Sequence, residues 1–184
     1  MELKKRREIF LIFGRTGSGK SYLTKELIKS YSRVIIIDAL GEYENGIIFE
    51  NFRDLLDYYS ENSPLEFTFI CRFKSDREIE FLFQFCEIAT NIMLVVEESE
   101  IYINPQSKSG NFLRLVRYGR HYDISIIAIA RRIIELSNDI RAQCNYIYSF
   151  KQINPRDIAY LKQLGFSKVD SLDETKHEYE LIQY

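Results

Sequence analysis

The sequence predicts an α/β fold, a mostly parallel central sheet flanked by helices on both faces, in one domain over residues 1–184. Three observations predict it. Short β-rich runs alternate with helical patterns along the whole chain. Most of those runs are continuously apolar, which describes strands covered on both faces. The first run passes through a glycine-rich turn, GRTGSGKS (14–21), straight into a helical pattern.

In order, the expected strands are EIFLIF (8–13), RVIIID (33–38), EFTFIC (66–71), NIMLVVE (91–97), ISIIAIA (124–130), YIYSF (146–150) and EYELIQY (178–184). Between them lie helical segments: KSYLTKELIKSY (20–31), NFRDLLDYY (51–59), DREIEFLFQFCEIA (76–89), NFLRLVRYGRHY (111–122), NDIRAQC (138–144) and NPRDIAYLKQL (154–164). The last is the best punctuated. Asn154 is placed to cap it, Pro155 fits the first helical position, Asp157 suits the positive end, and Gly165 closes it. No repeat, linker or low-complexity tract interrupts the alternation.

The length of 184 residues suits one core, and 46 % hydrophobic with 28 % charged residues is an ordinary globular mix. A net charge of −2 gives no global field toward nucleic acid or an anionic membrane. A nucleic-acid surface must then be a local patch or a pore assembled from several subunits. Cys71, Cys86 and Cys144 are odd in number and widely spaced, which reads as reduced, buried thiols of a cytosolic protein. His121 and His177 are too far apart in sequence to suggest a zinc site. No apolar run approaches the ~18–20 residues of a membrane span. The basic cluster Lys4 to Arg7 precedes only a short apolar segment, so it is not a signal peptide; it reads as a solvated lead-in to a strand or as a contact to phosphate.

GRTGSGKS matches G-x-x-x-x-G-K-[ST] with a strand before it and a helix after it, the context this phosphate-binding loop requires. Gly14, Gly17 and Gly19 permit backbone angles that a Cβ forbids. The loop from Gly14 through Arg15, Thr16, Gly17, Ser18 and Gly19 can therefore wrap its N–H groups around a β-phosphate. Lys20 reaches the β- and γ-phosphates, and the Ser21 hydroxyl suits Mg²⁺. ATP and Mg²⁺ are the expected ligands.

NIMLVVEE (91–98) supplies the rest of the chemistry. Such sites take a second metal partner from an acid at the end of a neighbouring buried strand. Glu97 holds that place, one methylene longer than the usual Asp. Glu98, beside it, is placed to accept a proton from an attacking water, so the pair points to hydrolysis. Glu100 reads as a surface charge.

GRTGSGKS, VIIIDALGEY (34–43), VVEES (95–99), RYGRHYDISIIAIARR (117–132) and DIRAQCNYIYSFKQINPRDIAYL (139–161) together resemble the FtsK–HerA superfamily, over most of the chain and most closely its small viral genome-packaging ATPases. The resemblance implies a RecA-like (ASCE) P-loop fold, with the loop's strand beside ISIIAIA, the strand carrying Glu97 next to that, and EYELIQY as an edge or antiparallel addition. It implies ATP hydrolysis that drives double-stranded DNA through a homo-oligomeric ring, commonly a hexamer. It also implies an arginine finger from the neighbouring subunit: Arg120 first, Arg117 second, with Arg114 on the same helix face. Where relatives carry a polar sensor, this chain has Arg131 or Arg132, with Arg131 the choice; that arginine either senses the γ-phosphate or pairs with Glu97 or Glu98. Asp38 resembles the superfamily's acid after the second strand and reads equally as a strand-end cap. The loop YINPQSKSGN (102–111), with Lys108, is the candidate DNA contact. For packaging, the resemblance implies a capsid or membrane-vertex protein as partner, and a place in the host cytoplasm or on the virion. Three other readings compete: a P-loop kinase, a nucleotide-dependent assembly or secretion ATPase of phage or plasmid origin, and a nucleotide switch.

Overall fold

The structure, a computed structural model, describes residues 7–106 and 109–184. Lys4 to Arg6 and Lys108 lie outside the described residues. Eight strands form one sheet: β1 (Ile9–Phe13), β2 (Arg33–Ile37), β3 (Ile47–Phe49), β4 (Phe67–Cys71), β5 (Ile92–Val96), β6 (Ile124–Ala130), β7 (Tyr146–Phe150) and β8 (Tyr179–Gln183). Their order is β3-β4-β2-β5-β6-β1-β7-β8, parallel throughout except for β8, which runs antiparallel to β7 at one edge. β1 lies beside β6, and β6 beside β5, as the resemblance implied.

Strand geometry sends alternate residues to opposite faces, and both faces are covered. Ile9, Leu11 and Phe13 join a large cluster with Leu55, Phe83, Leu115, Ile140 and Leu161. Those partners come from α2 (Phe52–Asn62), α3 (Asp76–Ala89), α4 (Gly110–Tyr118), α5 (Asn138–Arg141) and α6 (Pro155–Gln163). Phe10 and Ile12 face the other way, into a smaller cluster with Leu23 of α1 (Lys20–Ile28) and Tyr43 of the loop after β2. One helix and one loop thus cover the second face. β5 and β6 are buried along their whole length. At about 1.5–3 kcal/mol for each fully buried large aliphatic side chain, the strands that carry the site are the best anchored in the sheet.

Two expectations need correction. β3 was not expected: it is a three-residue edge strand with Ile47 and Ile48 exposed, too short for an apolar run to reveal. The pattern over 111–122 is not one helix. α4 stops at Tyr118, and a 3-10 turn, Gly119–Tyr122, follows. The Arg7 guanidinium packs against this end, donating to the carbonyls of Leu115 and Val116 at 3.0 and 2.8 Å; the Leu115 carbonyl also takes the Gly119 N–H. Arg7 is therefore a structural tie between the start of β1 and α4. Asp157 sits in the first turn of α6, as expected. It is fully buried and accepts from Arg132 Nε at 2.7 Å. The α6 caps are as expected: Asn154 accepts from the Arg156 N–H, Pro155 sits in the first turn, and Gly165 follows at φ +107°.

Candidate functional site

In a parallel sheet, loops that leave the carboxyl ends of adjacent strands share one edge, and ligands bind there. β1, β6 and β5 are such neighbours. Their carboxyl ends deliver the glycine loop, Arg131 and Glu97–Glu98 to one cleft, lined by Thr16, Lys20, Ser21, Glu97, Glu98 and Arg131 among others. Most of the predicted site residues come together here.

The loop is shaped as its sequence requires. Gly17 and Gly19 have φ of +78° and +105°, and a Cβ on Gly14 would lie 2.5 Å from Ser18 Oγ. Ser18 Oγ is buried without a hydrogen-bond partner among the described residues, a polar atom left over inside a cradle. Lys20 Nζ folds back on the Arg15 carbonyl at 2.9 Å. Burial lowers the Lys20 pKa, and the carboxylates of Glu97, Glu42 and Glu100 work against that effect. The Ser21 hydroxyl donates to the Glu42 carboxylate.

Glu97 is buried, 5 % exposed, and its Oε1 accepts from the Tyr43 hydroxyl at 2.7 Å. Burial is the main cause that pushes its carboxyl up to about 7. Glu98 sits at φ +47° and accepts from Arg131 at 2.6 Å. This separates the two arginines after β6: Arg131 faces the cleft, and Arg132 is taken by Asp157. Glu100 is not a plain surface charge. It lines the cleft, with Oε2 buried and unpartnered among the described residues, and burial raises its pKa. A serine hydroxyl with carboxylates is a hard oxygen set of the kind Mg²⁺ takes, with the rest of its shell left to water and phosphate; Ser21, Glu97 and Glu42 fit it.

Arg114, Arg117 and Arg120 are not in this cleft. Arg114 pairs with Glu87 at 2.6 Å and Arg117 with Asp139 at 2.7 Å. Arg120 is exposed on the 3-10 turn, with no ion pair to the described residues, and its charge helps to lower the Arg7 pKa to about 10. Asp38 is fully buried and accepts from Arg72 Nε and from the Glu42 and Tyr43 N–H groups, so it shapes the loop after β2 and does not line the cleft.

Sequence reasoning missed two contributors. Glu42 and Tyr43 lie in the quoted segment VIIIDALGEY, but no local spacing carries them to Ser21 and Glu97. The other is the strap before β8. His177 Nδ1 lies 3.1 Å from the Ser18 carbonyl, its Cβ would lie 3.0 Å from a Cβ on Gly19, and Glu174 pairs with Arg15 at 3.4 Å. A second pocket opens between this strap and α1, lined by Gly19, Tyr22, Phe150, His177 and Tyr179 among others. The two pockets meet at Gly19 and Tyr22.

Comparison with curated proteins finds no match. Among solved structures, the fold is similar to that of the genome packaging NTPase B204 of Sulfolobus turreted icosahedral virus 2 bound to ATP-gammaS, at TM-score 0.75 and 19 % identity, with 95 % of this chain and 96 % of that one covered. It is also similar to the N-terminal domain of zonular occludens toxin from Neisseria meningitidis, at TM-score 0.57 and 17 % identity over 95 % and 100 % of the two chains. VirB4 of Thermoanaerobacter pseudethanolicus aligns at TM-score 0.63 and 12 % identity over 95 % and 87 %. At such identities the likeness concerns the fold. Kinship rests on the sequence itself, for residues 7–182 match the family of the central domain of helicase HerA, and the chain belongs to that family.

Proposed function

We propose that the protein is an ATP-hydrolysing motor that moves double-stranded DNA, works as a homo-oligomeric ring, commonly a hexamer, and packages a viral genome. The observation that carries the reading is Glu98. A second carboxylate stands next to the metal-side acid Glu97, in the same cleft as Lys20 and Ser21. A phosphate-binding site that only transfers or only senses has no need of it. Relatives support nucleotide use and packaging: B204 is described as a genome packaging NTPase, and it binds an ATP analogue.

The roles follow from position. Loop N–H groups and Lys20 bind the β- and γ-phosphates. Ser21 and Glu97 would hold Mg²⁺, which when bound neutralises charge on the phosphate oxygens. Glu98 accepts a proton from the water whose oxygen attacks the γ-phosphorus; the bond to the β–γ bridging oxygen breaks, and ADP leaves with that electron pair. Arg131 offers a cation in cis. Arg120, exposed and without an ion partner among the described residues, offers one to the site of the neighbouring subunit. The pocket between α1 and the strap takes the nucleoside, because it continues from the cleft past Gly19 and Tyr22. A capsid or membrane-vertex protein would recruit the ring. No helix among the described residues is long and apolar enough to cross a membrane.

The test is ATP hydrolysis with and without long duplex DNA at low salt, where phosphate contacts are strongest, with Glu98→Gln as the blank. Stimulation by duplex that the blank lacks supports a DNA motor. Hydrolysis indifferent to DNA favours an assembly or secretion ATPase. Bound ATP without turnover favours a switch or a kinase.

A further inference from the structure

The loop after β2 holds two adjacent side chains, and each touches one of the two residues to which the proposed function gives the metal. Glu42 accepts from Ser21, and Tyr43 donates to Glu97 at 2.7 Å. Neither contact is accidental to the fold, because the loop is clamped from three directions. Asp38, fully buried at the end of β2, accepts the Glu42 and Tyr43 N–H groups at 2.8 and 3.3 Å. Arg72, just past β4, donates to Asp38 at 3.0 Å and to the Tyr43 carbonyl at 2.6 Å. Lys25, from α1, donates to the Glu42 carbonyl at 2.7 Å and sits over the Tyr43 ring, 5.3 Å from its centroid.

We infer that Tyr43 is a positioning residue for the metal-side acid: its hydroxyl, set by the Asp38–Arg72 clamp, fixes the Glu97 carboxylate so that the second oxygen is free for the cation. Tyr43 is 2 % exposed, so its hydroxyl has no alternative in water, and a buried hydroxyl without a partner is costly. Glu97 is one methylene longer than the aspartate usual at this place and has one more torsion to fix. A hydrogen bond to one carboxylate oxygen removes that freedom and leaves the other oxygen as ligand. Outer partners of this kind orient the ligating group, and their loss costs about 10–100-fold in metal affinity or activity. The inference rests on the reading that Ser21 and Glu97 hold Mg²⁺.

The experiment is calorimetric titration of Tyr43→Phe with AMPPCP, once in excess Mg²⁺ and once in EDTA. Phenylalanine keeps the ring and removes only the hydroxyl. The expected result is that the Mg²⁺-dependent gain in affinity falls by about 10–100-fold, while affinity in EDTA stays at the wild-type value. In steady-state hydrolysis, the Mg²⁺ concentration for half-maximal rate rises, and excess Mg²⁺ restores the rate. Equal losses in Mg²⁺ and EDTA would mark a merely structural tyrosine and overturn the inference, as would an unchanged Mg²⁺ gain. A wild-type protein whose nucleotide affinity ignores Mg²⁺ would instead overturn the assignment of Ser21 and Glu97. Arg72→Gln is the second variant. It loosens the clamp from outside the cleft and shifts Mg²⁺ dependence the same way; no shift there removes the clamp from the argument.

Discussion

Glu97→Gln should make the bare protein more stable at alkaline pH while it abolishes Mg²⁺-dependent turnover. The size follows from the environment of the carboxyl. Its pKa is pushed from an ordinary 4.5 to about 7, mainly by burial. The native state therefore holds this proton more tightly than the unfolded chain does. Stability must then fall as pH rises through the window from 4.5 to about 7, and stay low above it. At 1.36 kcal/mol per pH unit of that gap, the cost of the ionised form reaches about 3 kcal/mol. Glutamine resembles the protonated acid at every pH and still offers Tyr43 an acceptor oxygen. The variant should match wild type below about pH 4.5 and exceed it by about 2–3 kcal/mol near pH 8. For a chain of this length that is about 5–10 °C in Tm. The assay is urea and thermal unfolding of both proteins at the two pH values, in EDTA and without nucleotide, so that no cation competes for the carboxylate. Equal stabilities at both pH values, or a variant less stable at alkaline pH, would refute the reasoning. The expected outcome is a buried acid kept at a cost in stability for what it does.

Four further outcomes are expected. Lys20→Ala should lose tight ATP binding by calorimetry, because among the described residues only Lys20 and Arg131 bring a cation to the lining of the loop cleft. Tyr22→Ala should weaken ATP by about 1–3 kcal/mol, the usual worth of a base–aromatic contact, and leave tripolyphosphate binding untouched; equal losses for both would remove the nucleoside from that pocket. Arg131→Ala should slow hydrolysis and leave ADP affinity unchanged, read as kcat against the ADP inhibition constant. Arg132→Met should destabilise by about 3–5 kcal/mol in urea unfolding, because it strands the fully buried Asp157 without its partner.

What the sequence revealed was whatever is local in sequence. A buried parallel strand announces itself as an apolar run, as β1, β2, β4, β5, β6 and β7 did; β8, an antiparallel edge strand, was legible from its β-rich composition. β3 did not, because two of its three residues face solvent. The glycine loop and the acid pair are legible because each sits in one stretch attached to one strand. The partners of those groups are not, because the sheet order that brings them together is not written locally. Tyr43 meets Glu97 across 54 positions, and His177 meets Ser18 across 159. Arg131 and Arg132 could not be told apart for the same reason: one faces the cleft and the other faces α6, and that choice depends on where Asp157 lies. Arg114 and Arg117 looked equal to Arg120 by spacing, until α3 and α5 supplied acids for the first two alone.

Under the proposed function, the charges of the cleft bear on which form of the nucleotide it takes. Its lining holds four carboxylates, Glu42, Glu97, Glu98 and Glu100, against Lys20 and Arg131. Two unit charges 4 Å apart interact by about 4 kcal/mol at the dielectric typical near a protein surface, so a bare polyphosphate entering this site meets repulsion as well as the loop's N–H groups. In the resting protein the acids are answered one by one. Glu97, its carboxyl pushed up to about 7 mainly by burial, is answered by the Tyr43 hydroxyl, Glu98 by Arg131, and Glu42 by Ser21. Exchanges have to follow for the site to work: the proton that Glu97 holds below about pH 7 for a divalent cation, Arg131 on Glu98 for a water, and Glu42 on Ser21 for the same cation. A nucleotide that arrives with its Mg²⁺ would supply the cation for the Glu97 and Ser21 exchanges, and one that arrives alone would not. On the proposed reading that Ser21 and Glu97 hold Mg²⁺, the same acids favour the metal–nucleotide complex over the free nucleotide.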